Sequence, residues 1–340
     1  MRKRWILMLV TFLCVGCSQD KEQRAGEEYV FFAHANASEK GIYHQVVEQG
    51  DRYTYFYDFD SDSDVPLCIK PNCNHHNKEC DAYQLSYYNE HKETFYPVYY
   101  KNKIYMFYEN ARNQSTYIGQ ADEDGSNRKI VCELEEGMLT NAMFYQNYVY
   151  ISINTPEKDE TGRITGLSDI FHNYVVDLKD GSMKQLAMDD NIHLYYIGAY
   201  KNQVYAQAIQ MGNEQPSLSL CVLKDNKIET ILDHVTTNMN YIRDGAVYYL
   251  NDDKTSIMKL SLETNEAEEW MEIPKELGDV TSVTYDVSGI MKIGYAIDGA
   301  AAYYYMDMDT QKQIEDENNL LLKYDGDYFV EDASGFITRK

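Results

Sequence analysis

Three cysteines and a histidine lie close together in residues 68–80, CIKPNCNHHNKEC. Cys68, Cys73, His75 and Cys80 have the residue types and the spacing of a tetrahedral site with three sulfur ligands and one nitrogen ligand, which is a common arrangement for structural zinc. Protein side chains would fill all four ligand positions. The site would therefore stabilise structure and would leave no open position for catalysis.

A local disulfide bond is a second interpretation of the same cysteines, and inert reduced thiols are a third. An oxidising exterior promotes disulfides, so the disulfide is the favoured interpretation if the chain is exported. After removal of residues 1–16, the chain would keep five cysteines besides Cys17, and an odd number leaves at least one thiol unpaired; the five are Cys68, Cys73, Cys80, Cys132 and Cys221. Cys132 and Cys221 lie in strand-like runs, VCELE and SLCVL, which predicts that they are buried as small apolar residues.

A second candidate metal site has four aspartates on alternate residues of DFDSDSD, namely Asp58, Asp60, Asp62 and Asp64. Converging carboxylate oxygens are what a calcium loop requires. However, Ser63 occupies the position of the glycine that makes the sharp turn, and Ile69 occupies the position of the bidentate glutamate. The calcium prediction is therefore weak, and a solvated acidic turn is the competing interpretation.

The first 17 residues predict export. Arg2, Lys3 and Arg4 precede a short apolar run that ends in a cysteine, which is the layout of a secretory signal. The segment CVGC (14–17) resembles a bacterial lipobox, so Cys17 is the predicted lipid anchor, although Cys14 occupies the position where leucine is usual. Release after ordinary cleavage is the alternative. The polar residues 17–27 then form a flexible tether between the membrane and the folded domain.

The charge of the chain limits its partners. The formal net charge is −24, and removal of residues 1–16 takes it to −27. Nucleic acids and anionic lipid headgroups are not expected partners, because phosphate binding needs clustered lysine and arginine. Apart from the lipid on Cys17, the expected partner is an extracytoplasmic protein or glycan.

An internal repeat predicts the fold. Strand-like runs carry a turn residue followed by an aliphatic and an aromatic residue, as in YYKNKIYMFY (99–108), FYQNYVYIS (144–152), AYKNQVYAQ (199–207) and IRDGAVYYL (242–250). The aliphatic positions recur every 43 to 55 residues, and each copy precedes a second hairpin-like unit. Two hairpins per repeat make a four-stranded blade. The sequence therefore predicts an all-β fold, a β-propeller formed by residues 28–340.

The number of blades is predicted as seven, with six as the alternative, and the ring is expected to close by pairing of the N-terminal and C-terminal strands. Between blades the Cys/His-rich residues 65–95 form an excursion. The longest spacing comes from residues 152–173, SINTPEKDETGRITGLSDIFHN, which is predicted to be a long loop that could bind a ligand.

The lipobox, the cysteine motif and the repeats together resemble surface lipoproteins of low-GC Gram-positive bacteria that have a propeller fold. In that group Cys, Lys-Pro, Cys, His, Cys and Ala-Tyr follow in the order seen in VPLCIKPNCNHHNKECDAY (65–83). The resemblance implies a lipid-anchored propeller on the outer face of the cytoplasmic membrane. It implies no substrate, because those proteins have no settled activity, and propellers host many functions.

Linear catalytic motifs are not evident in the sequence: there is no GxSxG, HExxH or phosphate-binding glycine loop. The expected function is thus a membrane-tethered binding or interaction module. The alternative is an extracellular propeller hydrolase or lyase that acts on glycan or cell-wall fragments. A funnel at the ring centre with a histidine and two or more carboxylates would favour the enzyme, whereas a channel plugged by tyrosines and methionines would favour the module.

Overall fold

A computed structural model describes residues 29–31, 36–75, 77, 79–83, 91–94, 97–110, 115–212, 217–235, 241–286, 288–297, 300–314 and 320–340. The export signal, Cys17 and the tether lie outside the described residues, so the inferences about them stay predictions. Within the described part of the chain, no helix is long and apolar enough to cross a membrane.

The strands form seven antiparallel sheets that follow one another along the chain, with β1 (Tyr29–Phe31) added to the third. Sheet 1 has β2 (Asn36–Ala37), β3 (Gly41–Glu48), β4 (Asp51–Asp58) and β5 (Ser63–Pro66); sheet 2 has β6 (His91–Thr94), β7 (Val98–Tyr100), β8 (Lys103–Asn110), β9 (Ser115–Asp122) and β10 (Lys129–Glu136). Sheet 3 has β11 (Met138–Tyr145), β12 (Tyr148–Lys158), β13 (Ile164–Asp177) and β14 (Met183–Gln185); sheet 4 has β15 (Ile192–Tyr200), β16 (Gln203–Gln210), β17 (Ser217–Lys224) and β18 (Lys227–Leu232).

The last three sheets have the same up-and-down order. Sheet 5 has β19 (Ala246–Leu250), β20 (Ser256–Ser261) and β21 (Ala267–Glu272), and a short 3-10 helix (Lys275–Leu277) follows it. Sheet 6 has β22 (Asp279–Tyr285), β23 (Ile290–Ile297), β24 (Ala300–Asp307) and β25 (Lys312–Ile314), and sheet 7 has β26 (Leu320–Tyr324), β27 (Asp327–Glu331) and β28 (Ile337–Arg339). Sheets 5 and 7 have three strands each among the described residues, so the count of complete blades stays a prediction.

The repeated sequence motif forms the turn between two paired strands in sheets 2, 3, 4 and 7, and in sheet 5 it forms the turn before β19. Lys201 and Asn202 connect β15 to β16 with φ of 49° and 63°, and Asp325 and Gly326 connect β26 to β27 with φ of 49° and 92°. Tight hairpins need such positive φ values, which asparagine, aspartate and glycine tolerate best. The local chemistry of these residues thus sets the start of each sheet.

Neighbouring sheets pack face to face around a ring. Buried clusters join consecutive sheets from the first to the sixth, and a further cluster joins the seventh to the first. Representative residues are Tyr43 and Ile104, Phe107 and Phe144, Met143 and Tyr196, Leu220 and Val247, Tyr248 and Met291, and finally Phe329 and Ile42. The strand tyrosines Tyr105, Tyr205 and Tyr248 are buried in these clusters.

Sheets 6 and 7 are joined by a polar contact. Asp307 lies 2.8 Å from Lys323 Nζ and accepts a hydrogen bond of 2.6 Å from the Tyr328 hydroxyl. Burial alone would raise the pKa of Asp307, but the contacts with Lys323 and Tyr328 hold it well below its usual value. The carboxylate is therefore a charged bridge between the two sheets.

The ends of the ring meet through side chains and not through a shared sheet. Phe329 and Ile337 of sheet 7 pack with Ile42 and Tyr57 of sheet 1. Val47 N donates to Ser334 O at 2.8 Å. Among the described residues, no N-terminal strand pairs with sheet 7; β1 pairs with β11 in sheet 3 instead. The expected strand pairing is therefore replaced by face-to-face packing.

Residues 152–173 are not a long loop, and that prediction is wrong. They extend β12 and β13 into a long hairpin, in which Asn154 pairs with Phe171 and Glu157 pairs with Gly166. The turn is closed by Asp159, whose carboxylate accepts hydrogen bonds from the backbone N–H groups of Thr161 and Arg163. Alternating β-branched residues continue the ladder here, and the aspartate turn ends it.

Candidate metal centre

The Cys/His-rich segment is a loop whose two ends meet on one residue of β4. Leu67 N donates to Thr54 O at 3.0 Å, and Thr54 N donates to Ala82 O at 2.8 Å. Tyr83 continues this contact by a bridge to Tyr53, and its hydroxyl donates to Asp51 at 3.1 Å. The segment therefore leaves the edge of sheet 1 after β5 and returns to the same edge.

Tight turns inside this loop bring its cysteines together. Cys73 N donates to Lys70 O, and Asn72 between them has φ of 61°. Proline at the second position and asparagine with positive φ at the third are the signature of a type II turn, which explains the sequence KPNC. A second turn has Cys80 N donating to Asn77 O at 3.1 Å.

The four predicted ligands converge on one point. The potential ligand atoms of Cys68, Cys73, His75 and Cys80 all lie within 4.8 Å of one another. His75 Nδ1 is 3.5 Å from Cys80 Sγ. In a tetrahedral site with metal–sulfur bonds of about 2.3 Å, ligand sulfurs are about 3.8 Å apart. The side chains therefore already stand near the arrangement that such an ion requires.

Backbone groups support the thiols as anions. The backbone N–H groups of Lys70 and Asp81 lower the pKa of Cys68, and that of Ala82 acts to lower the pKa of Cys80. Burial would raise the pKa of Cys68, but the backbone and thiol hydrogen bonds bring it below its usual value. Burial dominates at Cys80 and raises its pKa to about 12. A thiol this buried becomes a thiolate only when a positive partner compensates the charge.

No disulfide joins the cysteines of the described residues. Cys132 and Cys221 are buried in β10 and β17, and burial raises the pKa of Cys132 to about 11 and that of Cys221 to about 12. This confirms the prediction that these two are packing residues. The three cysteines of the loop lie together with His75, and the preference for a disulfide stays a prediction.

The alternating aspartates do not converge. The Asp58 carboxylate accepts hydrogen bonds from the backbone of Asp60 and Ser61, which closes the turn after β4. Asp62 accepts from the Tyr57 hydroxyl at 2.8 Å. Asp64 is buried against His44, with 2.7 Å between Oδ1 and Nε2. Each carboxylate serves a different partner, so the structure gives no support to a calcium site here.

Aromatic side chains join β1 to segments that lie far along the chain, a contact that sequence reasoning missed. Phe31 of β1 packs edge-on against Tyr241 at 4.6 Å between ring centroids, and the Tyr29 hydroxyl donates to Ile242 O. Tyr285 of sheet 6 donates its hydroxyl to Tyr241 O. We refer to Tyr29, Phe31, Tyr241 and Tyr285 as the aromatic plug. These four residues connect β1 of sheet 3 with the segment before sheet 5 and with sheet 6.

A glycine makes room for this plug. Gly198 of β15 has φ of 145°, and a Cβ on it would lie 2.8 Å from the Tyr29 ring. Any side chain here would displace Tyr29 from sheet 4.

Among the described residues, the cysteine loop is the one place where three or more potential ligands of the His, Cys, Asp or Glu type converge. A histidine with two carboxylates is therefore not found at the described part of the ring centre.

Comparison with known proteins settles the fold and no more. No protein-family model matches the chain, and no curated protein matches its sequence. Among solved structures, an acylaminoacyl peptidase from Pyrococcus horikoshii is similar over 92% of this chain and 50% of its own, with a TM-score of 0.58 and 12% identity. The chain thus spans about half the length of that peptidase.

Two further structures match along most of their own length. The β-propeller domain of the Trilobed protease from Pyrococcus furiosus, described as having an open velcro topology, matches 92% of this chain and 93% of its own, with a TM-score of 0.53 and 10% identity. The chain is a β-propeller. An oligogalacturonate lyase in complex with manganese also matches, over 88% and 85%, with a TM-score of 0.54 and 11% identity. At these identities, the propeller fold is shared and the chemistry is not transferred.

Proposed function

We propose that this propeller is a lipid-anchored binding module that acts outside the cytoplasmic membrane. The observation that carries the proposal is the aromatic plug. Phe31 is 5% exposed, and it packs in one cluster with Met143, Tyr145 and Leu194. We infer that this cluster, which β1 adds to the first strand of sheet 3, fills space towards the ring axis, where a propeller enzyme would gather its catalytic groups. The surface between blades is then left for binding.

Anchoring rests on the sequence. Cys17 precedes β1 by only a short polar segment, and the resemblance of CVGC to a lipobox makes it the residue that would carry the lipid. Two or more acyl chains hold a protein on a membrane stably, because each buried methylene contributes about 0.8 kcal/mol. A net charge of −24 also keeps the domain away from anionic headgroups.

A groove between sheets 3 and 4 is the binding surface that we assign to the module. Its volume is about 520 Å³, and Tyr148 and Tyr150 line it beside Asp177, Asn202 and Asn226. Tyrosine rings with nearby amides and carboxylates offer both stacking and hydrogen bonds, which suits a glycan. The groove would therefore take a carbohydrate chain of the cell wall.

One experiment tests binding against catalysis. Purified protein is incubated with cell-wall sacculi that have been stripped of protein, and the mixture is sedimented. We expect the protein in the pellet and no new glycan or peptide fragments in the supernatant by mass spectrometry. Tyr148→Ala should reduce retention, whereas Tyr303→Ala should not, because Tyr303 is an exposed tyrosine of sheet 6 that does not line the groove. Released fragments would support the enzyme instead.

The anchor has its own test. Cys17→Ser should move the protein from the membrane fraction to the medium, and Cys14→Ser should leave it in the membrane, since only Cys17 would carry the lipid. Unchanged partitioning of the Cys17→Ser variant would contradict the lipoprotein part of the proposal.

A further inference from the structure

The Cys/His-rich loop presents more convergent ligands than a disulfide can use. A disulfide would join two of the three sulfurs by loss of two protons and two electrons, the electrons passing to an oxidant. It would leave the third sulfur and the His75 imidazole at the same point without a function. Four converging atoms, three of them sulfur, instead match the number of ligands of one tetrahedral ion.

We propose that Cys68, Cys73, His75 and Cys80 bind one Zn²⁺ ion in a closed structural site. The proposal goes beyond the binding function and does not depend on it. Thiolate and imidazole are ligands that zinc prefers, whereas calcium, magnesium and manganese prefer oxygen. All four positions are filled by the chain itself, so the ion has no open position for a substrate or an activated water.

The surroundings fit three thiolates around a divalent ion. That set has a formal charge of −1. The Lys70 ammonium lies on the same loop, where it pairs with Asp81 at 2.9 Å. Groups around a metal site orient its ligands and stabilise their charge.

The position of the site gives it a structural role. Cys80 is fully buried in a cluster with Val46, Tyr55 and Ala82, and Phe336 of sheet 7 packs against the same cluster. The ion would thus hold the loop onto sheet 1 beside the place where the ring closes.

The proposal is tested by metal analysis of the full-length protein, purified without reductant and without added metal. Inductively coupled plasma mass spectrometry should find close to one zinc per chain. Cys68, Cys73 and Cys80 should resist alkylation until a chelator is added, and then react together. Cobalt exchanged into the site should show the intense visible absorption of tetrahedral cobalt bound to thiolates.

His75→Asn removes one ligand with little backbone strain, because asparagine tolerates the φ of 60° found at His75. Its zinc affinity should fall at least about tenfold, since even loss of an outer hydrogen-bond partner of a metal ligand can cost that much. His234→Asn is the matched control, because His234 also has a positive φ of 56° but lies outside the cluster. It should keep its zinc.

Three results would overturn the proposal. The first is an intact mass lower by two hydrogens with no metal, which would show the disulfide. The second is metal-free protein whose three thiols react at once. The third is an equal zinc affinity of wild type and His75→Asn. If His75→Asn does not fold, the cobalt spectrum of the wild type decides, since a spectrum without tetrahedral thiolate absorption also contradicts the site.

Discussion

Asp64 and His44 form a buried contact that also joins the two ends of the ring. Asp64 Oδ1 lies 2.7 Å from His44 Nε2, while its Oδ2 accepts a hydrogen bond of 2.8 Å from Ile337 N in sheet 7. His44 is 1% exposed and Asp64 is 8% exposed. One carboxylate thus satisfies a side chain of sheet 1 and a backbone group of sheet 7.

Asp64→Ala should lower the free energy of unfolding by about 2 kcal/mol or more, because it leaves two buried donors without an acceptor. Asp60→Ala is the matched control, since Asp60 is an exposed aspartate in the same turn, and it should stay within about 0.5 kcal/mol of wild type. Urea unfolding followed by tyrosine fluorescence measures both. Equal stability of the two variants would contradict the role assigned to Asp64.

Gly335→Ala should destabilise the ring closure. Gly335 has φ of 93°, and a Cβ on it would lie 2.4 Å from Gln45 O, a backbone atom of sheet 1 that cannot move alone. Gly326 has nearly the same φ of 92°, but no atom lies within 4 Å of a Cβ placed on it. Gly326→Ala is therefore the control that introduces the backbone strain without the steric contact. We expect Gly335→Ala to be about 1–3 kcal/mol less stable than Gly326→Ala by urea unfolding. Similar losses would show that the close approach is not needed.

Phe31→Ala should weaken the whole domain, because it removes a buried ring from the aromatic plug. The loss should be about 3 kcal/mol, as is typical of a buried phenylalanine. Val30 in the same strand is half-buried, so Val30→Ala should cost clearly less. Thermal unfolding by circular dichroism compares the two. A Phe31→Ala melting temperature equal to that of wild type would place β1 outside the core.

His193 should make stability depend on pH. The ring stacks on Phe171 at 4.5 Å, and burial lowers its pKa from 6.5 to about 4. Between these values the unfolded chain binds more protons than the folded one, so this contribution is complete above pH 6.5 and is lost as the pH falls towards 4. Relative to His193→Gln, wild type should therefore lose stability over that range in urea unfolding. If the free energies of unfolding of wild type and His193→Gln changed with pH in parallel, this role of His193 would be contradicted.

Local features could be predicted from the sequence. Asn202 and Gly326 specify turns by their own backbone preferences, and Cys68 to Cys80 span only thirteen residues, so their convergence follows from turn chemistry. The hydrogen bond from Tyr29 to Ile242 links residues 213 positions apart, and no local pattern encodes such a partner. One signal was available: the run YVFF (29–32) is apolar without alternation, which is typical of a strand buried on both faces.

The partners of the aspartates could not be predicted for a related reason. Alternate carboxylates look alike in a sequence, but register decides which of them faces inward. Asp64 of β5 lies opposite Tyr57 of β4, and in this register its side chain reaches His44 of β3. Asp60, in the turn between β4 and β5, is exposed to solvent. The pattern that suggested a calcium loop therefore arises from a turn and a buried contact that share the same residue type.

Leu67 and Ala82, the two ends of the cysteine loop, both bond to Thr54. The loop is therefore an insertion into the edge of sheet 1. Both ends of the loop bond to the same residue of β4, so the blade can accept a different number of residues between them. Evolution or protein engineering can exchange exposed residues of this segment for a foreign peptide while the ring keeps its seven sheets, provided that Cys80 stays in the buried cluster of sheet 1. The same insertion point can thus display a new epitope at the edge of the first blade.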